Sequence, residues 1–448
     1  MIIPFTVTFF FILIVILGLK SKQSSTLSDY IYSGRKVTTP ALIATLVTTW
    51  YGGINEIGIE VLYNGAVVWL YFGLFYYLAA LSYAYIIAPK IIDKNYRSIP
   101  IAIYETYGKK PALISFFFIL LYLIPASYLL ILGQLISEIF NINQILAILT
   151  GLVVSTIYTL KGGFSSIIKT DRIQFIFMFS GFILLSYFLF FSDNYGIELL
   201  YSLHGRDLKL FDIPGNSQWD YIIMFAFLSL LTFLDPSFHQ RTFSGKNLKT
   251  VQRSIVLSIL CWFIFDFITI SSALFYFEIA LRNNFDPLST SSPYIRLAEI
   301  VFQNHPFLMG IFFLSILSVV MSTIDSYTFL SSVTLNYDLN IILNKQTNIR
   351  SVRNTTIVVL IISFILTGFF DRALDYWYYF GTYVIVSTLF PLICALFDIK
   401  IKNVLAMMIL SVLVTFVWDM LIILELTNTP SIYIGLIIGG LFFLFKKN

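Results

Sequence analysis

The chain has 448 residues, of which 58% are hydrophobic and only 12% charged, with a formal net charge of +4 and a mean hydropathy of +0.86. A soluble globular domain carries about 25% charged residues, so this composition excludes one and describes a polytopic, all-α membrane protein. The small positive balance gives no support for nucleic-acid binding. Cys261 and Cys394 both fall inside apolar stretches, which argues against a disulfide framework or a thiolate metal site.

Windows of about 20 apolar residues predict thirteen transmembrane helices. They lie near 4–19, 40–62, 67–89, 112–137, 143–160, 172–192, 220–236, 253–279, 306–333, 354–370, 376–396, 404–424 and 431–445. The first has no basic region before it and no small-residue cleavage site after it, so it reads as a retained span. With the N-terminus outside, only Arg206, Lys209, Arg282, Arg296 and Arg372 of the 28 Lys and Arg residues fall on the outer side. The remainder, Lys22, Lys161, Arg241, Lys446 and Lys447 among them, are cytoplasmic, an asymmetry that supports both the odd span count and a cytoplasmic C-terminus in a cell membrane.

Two outer loops, 193–219 and 281–305, are long enough to hold small helices over a vestibule. Ile99 to Tyr107 reads as a short surface helix on the cytoplasmic face. The absence of a soluble domain argues against a sensor kinase or a receptor with a signalling tail. An intramembrane enzyme would need a nucleophile and base together in the membrane, and His204 and His305 lie outside the spans, so no enzyme is expected. No obligate protein partner is evident. The expected partners are a small polar solute, an ion and the lipid bilayer.

The second span carries the run Thr48, Thr49, Trp50, Tyr51, Gly52, Gly53, Ile54, Asn55, Glu56. Paired glycines weaken a membrane helix, and carbonyls released there must line a cavity or bind an ion. Discontinuous helices of this kind mark the substrate sites of secondary transporters; alternatively, the glycines only permit a close helix crossing. Thr48, Thr49, Trp50 and Tyr51 offer hydroxyls and aromatic faces to a solute. Glu56, one turn further out, either pairs with a cationic part of that solute or lines an outer vestibule. The fourth span adds Ser127 and Gln134.

Asp171, beside Lys169 and Arg172, either pairs at the surface or faces inward. The seventh span ends at Asp235-Pro236, with His239 expected as a surface or capping residue and Arg241 as the start of a basic loop. In the ninth span, Ser315, Ser318, Ser322, Thr323, Asp325 and Ser326 form a polar stripe at helical spacing. An acid at mid-membrane depth costs at least about 2.5 to 3.5 kcal/mol, so Asp325 should face a cavity and a partner. Hydroxyls beside a carboxylate suit a hard cation, although small hydroxyl residues also let helices pack closely. Tyr376, Trp377, Tyr378 and Tyr379 read as an interfacial belt.

Together these segments resemble the sodium:solute symporter family. The landmarks are Ser28-Asp-Tyr-Ile-Tyr-Ser-Gly-Arg35, Thr49-Trp-Tyr-Gly-Gly53, Tyr158-Thr-Leu-Lys-Gly-Gly163 with Thr170-Asp171, Asp235-Pro-Ser-Phe-His-Gln-Arg241 and Met321-Ser-Thr-Ile-Asp-Ser326. The resemblance implies the leucine-transporter-like fold, an inverted five-plus-five repeat. Residues 40–192 would be the first repeat and 219–396 the second, with 1–39 and 403–448 as additions to one transporter domain. It implies sodium (Na+) held by the carbonyls of Ala44, Val47 and Val319 and the hydroxyls of Ser322 and Thr323. A second sodium would involve Asp171, Asp325 and Ser326. It also implies a pocket beside the break, with Thr48, Thr49, Trp50, Tyr51, Glu56, Gln134 and Thr232 as substrate-binding candidates.

Two departures stand out. The seventh span has no glycine between Trp219 and Pro236, so the break that repeat symmetry requires is not written there, and the fourth span has no arginine to clamp a carboxylate. The expected function is sodium-coupled import of a small polar organic solute by alternating access. The alternative is a proton-coupled or uncoupled permease of the same fold.

Overall fold

The computed structural model describes residues 2–20, 24–192, 194–206 and 208–444, and within these the side chains of 2–4, 10, 17, 19 and 154–161 are not described. Lys22, Lys446 and Lys447, and the side chains of Tyr158 to Lys161, therefore lie outside the described residues. Among those described the chain is helical throughout, with one isolated bridge between Val37 and Gly245 and no strand. Among the described residues nine helices are long and apolar enough to cross a membrane, and shorter apolar helices include Gln144–Val153 and Ser431–Leu444. Both long loops hold a small helix, Glu198–His204 in the first and Pro293–Val301 in the second. Ile99–Tyr107 is helical too, but its residues 99–103 are buried, so it packs into the protein rather than lying on its surface.

Two interrupted helices organise the centre. The first runs as Thr39–Trp50, a 3-10 turn at Tyr51–Gly53, then Ile54–Asn64. A Cβ on Gly52 would overlap the Thr323 side chain and one on Gly53 the Trp377 ring, so the glycines allow two neighbours to press against the break. The second runs as Trp219–Leu228, a 3-10 turn at Ser229–Phe233, then Pro236–Ser244. Its break needs no glycine. Pro236 has no N–H to continue the preceding helix, and Asp235 caps the next segment by accepting from the Ser237 backbone N–H at 2.7 Å. His239 is buried rather than at the surface, with Nε2 3.1 Å from the Phe233 carbonyl at this break.

The long helix Pro306–Val333 forms the spine behind both breaks and packs along Phe164–Phe191 and against Thr39–Trp50. The two interrupted helices are also tied together at one end. Val37 N–H donates to the Ser244 carbonyl at 3.0 Å, and Lys246 N–H donates to the Val37 carbonyl at 3.2 Å.

Four of the five basic residues expected outside are paired with glutamates. Arg206 and Arg282 bond Glu278, Arg296 bonds Glu299, and Arg372 bonds both Glu56 and Glu60. Arg282 and Arg296 pair within their own helices, whereas Arg206 and Arg372 each bridge to a glutamate on another segment.

Gly52→Ala should gain up to about 1 kcal/mol of helix propensity but cost about 1 to 3 kcal/mol by overpacking against Thr323. The second effect wins, so the thermal midpoint of the purified variant should fall. Gly368→Ala, where a Cβ meets nothing within 4 Å, should leave it unchanged. Equal midpoints for both would remove the close approach at Gly52.

Candidate functional site: a polar knot beside an aromatic cavity

The polar stripe of the ninth span divides into two halves. Ser318 bonds back to the Leu314 carbonyl at 2.6 Å, and Ser315 packs where a Cβ on Gly181 would stand, so this half serves helix packing. The other half reaches the first interrupted helix. Thr323 Oγ1 lies 3.0 Å from the Thr49 carbonyl, 3.4 Å from that of Thr48 and 3.3 Å from that of Val319. Ser322 Oγ lies 2.8 Å from Thr48 Oγ1 and 2.7 Å from Asp171 Oδ1, and Thr48 Oγ1 donates to the Ala44 carbonyl at 2.9 Å. The result is a dense set of oxygen atoms, with no sulfur or imidazole, at the last turns before the break. Such a set suits a hard cation.

Asp171 thus faces inward and is fully buried, while its neighbours Lys169 and Arg172 are exposed. Asp325 and Ser326 are buried as well.

Arg241 corrects the sequence reading. It lies within the helix Pro236–Ser244, only 2% exposed, and does not begin a surface loop. One guanidinium nitrogen lies 2.8 Å from Thr45 Oγ1, 2.8 Å from Thr49 Oγ1 and 3.0 Å from Ser326 Oγ. Phe164 stacks beneath it at 5.3 Å, and Asp171 and Asp235 are within electrostatic reach. In sequence Arg241 sits next to Lys246, Lys249 and Arg253 and so is counted with them; helical spacing from Ser237, whose carbonyl it also bonds at 3.3 Å, was the signal that it turns inward.

Beside the break lies a cavity with about 130 Å³ of free space, lined by Thr49, Trp50, Tyr51 and Thr232 together with Tyr76, Asp235, Arg241, Asp266 and Trp377. Trp50 stacks on Trp262 at 4.9 Å and meets the Tyr76 ring edge-on at 5.2 Å. Thr232 Oγ1 is buried without a hydrogen-bond partner.

Of the seven solute candidates, Thr49, Trp50, Tyr51 and Thr232 meet here. Thr48 turns instead to Ser322. Glu56 and Gln134 line a second cavity of about 840 Å³. Glu56 bonds Arg372 at 2.9 Å, so a residue of this chain rather than a solute neutralises it. Trp377 is corrected too. It closes over Gly53 and donates from Nε1 to Ser127 Oγ at 2.9 Å, as part of the cavity wall and not of an interfacial belt. Sequence reasoning missed Asp266 and Tyr76; an acid in the middle of the otherwise uncharged run 254–277 carries the same signal as Asp325, whereas one more tyrosine among 28 carries none.

Interrupted helices crossing a long helix, with an oxygen-rich knot and a cavity at the crossing, define a membrane transporter. The sodium:solute symporter family model matches residues 30–397, and the chain belongs to that family. It is 27% identical over 345 residues to the high-affinity proline transporter PutP of Bacillus subtilis, covering 71% of this chain and 69% of that one. It is 26% identical over 195 residues to the high-affinity choline transporter 1 of Caenorhabditis elegans, a match that spans 39% of this chain and 33% of the relative.

Among solved structures, the substrate-bound outward-open state of a Na+-coupled sialic acid symporter superposes with a TM-score of 0.82 at 16% identity, covering 98% of this chain and 95% of the other. MhsT in complex with L-phenylalanine gives 0.53 at 11%, covering 93% and 99%. These likenesses show the fold. The family and its members are transporters, not enzymes, and the chain is a multi-pass membrane protein of solute transport.

Removing the buried guanidinium should be costly, since breaking a buried charge cluster from one side costs about 3 to 5 kcal/mol. Arg241→Met should lower the thermal midpoint markedly, and adding Asp171→Asn should recover part of the loss. Additive losses in the double variant would show that the two groups are not coupled.

Proposed function

We propose that this protein imports a small polar organic solute into the cell together with sodium, by alternating access between the two faces of the membrane. The observation that carries this reading is the set of oxygens contributed by Ala44, Thr48, Val319, Ser322 and Thr323, which converges within hydrogen-bond distances next to the aromatic cavity. A sodium ion there would be held by the carbonyls of Ala44, Val47 and Val319 and the hydroxyls of Ser322 and Thr323. Because Trp50 and Tyr51 follow directly on that carbonyl-bearing turn, an ion that orders the turn also orders the cavity wall, which would couple the two cargoes.

In this reading the solute lies between Trp50, Tyr51 and Thr49 on one interrupted helix and Thr232 on the other. The unpartnered Thr232 hydroxyl supports this, since a buried polar atom without a partner is costly. Glu56 and Gln134 belong to the outer route of approach. The thirteen helices would all cross the membrane, with 40–192 and 219–396 as inverted repeats, the N-terminus outside and the C-terminus in the cytoplasm. A second ion at Asp171, Asp325 and Ser326 would have to share Ser326 with the Arg241 guanidinium, so the proposal rests on the first site. Proton coupling through Asp171 is the competing reading, and it predicts transport driven by a pH gradient in the absence of sodium.

Ser322→Ala and Thr323→Ala each delete one ligand oxygen and should raise the sodium concentration for half-maximal stabilisation of purified protein about tenfold or more, with normal expression. Unchanged sodium dependence in both would remove the site. Trp50→Ala should weaken solute binding strongly yet leave sodium binding without solute nearly intact. Normal solute affinity in that variant would move the solute elsewhere.

A further inference from the structure

Asp266 belongs to neither the ion site nor the outer route. It sits in the middle of the helix Leu248–Arg282, 6% exposed, and lines the central cavity. The Tyr51 hydroxyl donates to its Oδ1 at 2.7 Å and the Tyr77 hydroxyl to its Oδ2. Both donors are neutral phenols, and among the described residues no Lys, Arg or His forms an ion pair with this carboxylate. An ionised carboxylate has about four acceptor sites, so two phenols leave it with capacity to spare.

The cavity's other acid is differently placed. Asp235 caps a helix, accepts from the Tyr327 hydroxyl at 3.2 Å and stands within electrostatic reach of Arg241. Asp266 alone among the charged cavity-lining groups lacks a compensating charge. Because charged groups inside membranes pair with one another or mark substrate pathways, the missing partner is expected in the cargo.

We propose that Asp266 is the solute's charge-recognition site and that the solute carries a positively charged nitrogen, as an amine, an imino or amino acid, or a quaternary ammonium compound. The walls suit such a group, since Trp50 and Tyr76 line the same cavity as the carboxylate and aromatic rings attract a cation through their quadrupoles. Room for the carboxylate is preserved by Gly73, where a Cβ would stand 2.9 Å from Asp266 Oδ2. The inference rests on the central cavity being the solute site. It deepens the proposed function by naming the substrate class and the residue that selects it.

The test uses purified full-length protein in detergent, in sodium chloride and in potassium chloride, with thermal stabilisation and calorimetric binding as readouts. The ammonium probes are choline, glycine betaine and L-proline; the controls without a cationic nitrogen are myo-inositol, D-galactose and pyruvate. At least one ammonium probe should bind in sodium. Asp266→Asn, which keeps the side-chain size and can still bond the tyrosines, should weaken that probe about tenfold or more while stabilisation by sodium alone is unchanged. Gly73→Ala, which presses on the carboxylate without removing it, should give a smaller loss of the same probe and serves if Asp266→Asn folds poorly.

Binding by control probes alone, binding by no ammonium probe, or equal ammonium affinity in wild type and Asp266→Asn would each overturn the assignment. The two readings separate cleanly. Ammonium binding that depends on Asp266 but not on sodium would sink sodium coupling and keep this inference, whereas sodium stabilisation without ammonium binding would do the reverse.

Discussion

The contact on which the centre of the molecule depends is short. The Thr323 hydroxyl lies 3.0 Å from the Thr49 carbonyl, where the helix Thr39–Trp50 gives way to a 3-10 turn. In hydrocarbon, backbone polar groups loosened at a break need partners inside the protein, and the long helix Pro306–Val333 supplies one through Thr323. Gly52 makes the approach possible because any side chain there would occupy the space of Thr323. The Thr323 hydroxyl that bonds the break is also one that a sodium ion would use in the proposed site, which would link ion binding to the geometry of the break.

Charge is distributed around this contact with little left over. Arg372 neutralises Glu56 and Glu60 in the second cavity. Arg241 is spread over three hydroxyls next to Asp171 and within electrostatic reach of Asp235. Both arginines are therefore engaged with the protein. At the cavity Asp266 is held by two phenols and has no ion pair among the described residues, and in the proposed reading a cationic cargo would complete it. A transporter gains from this arrangement, because a site fully compensated by its own residues would have no electrostatic preference for its cargo.

Much of this was legible in the sequence. Apolar runs marked the helices, Gly52-Gly53 marked the first break, and three- and four-residue spacing put Ser322 and Ser326 on the buried side of one helix. What stayed hidden has a common physical cause. The second break is made by Pro236 and a capping Asp235 without glycine, and a proline near a helix end looks the same whether the chain stops there or continues inward. Arg241 lies close to three surface cations, and charge counting cannot tell a buried arginine from its exposed neighbours. Glu56 and Arg372 are separated by 316 residues, and Trp377 meets Gly53 over a similar distance along the chain, so both partnerships exist only in the fold.

The most direct test of the central claim is equilibrium binding of radioactive sodium to the purified protein without solute. The account predicts saturable binding that is displaced by unlabelled sodium and not by potassium, and that is lost when Ser322 and Thr323 are both replaced by alanine in protein that remains folded. Absence of saturable sodium binding, or saturable binding that survives the double replacement, would contradict it.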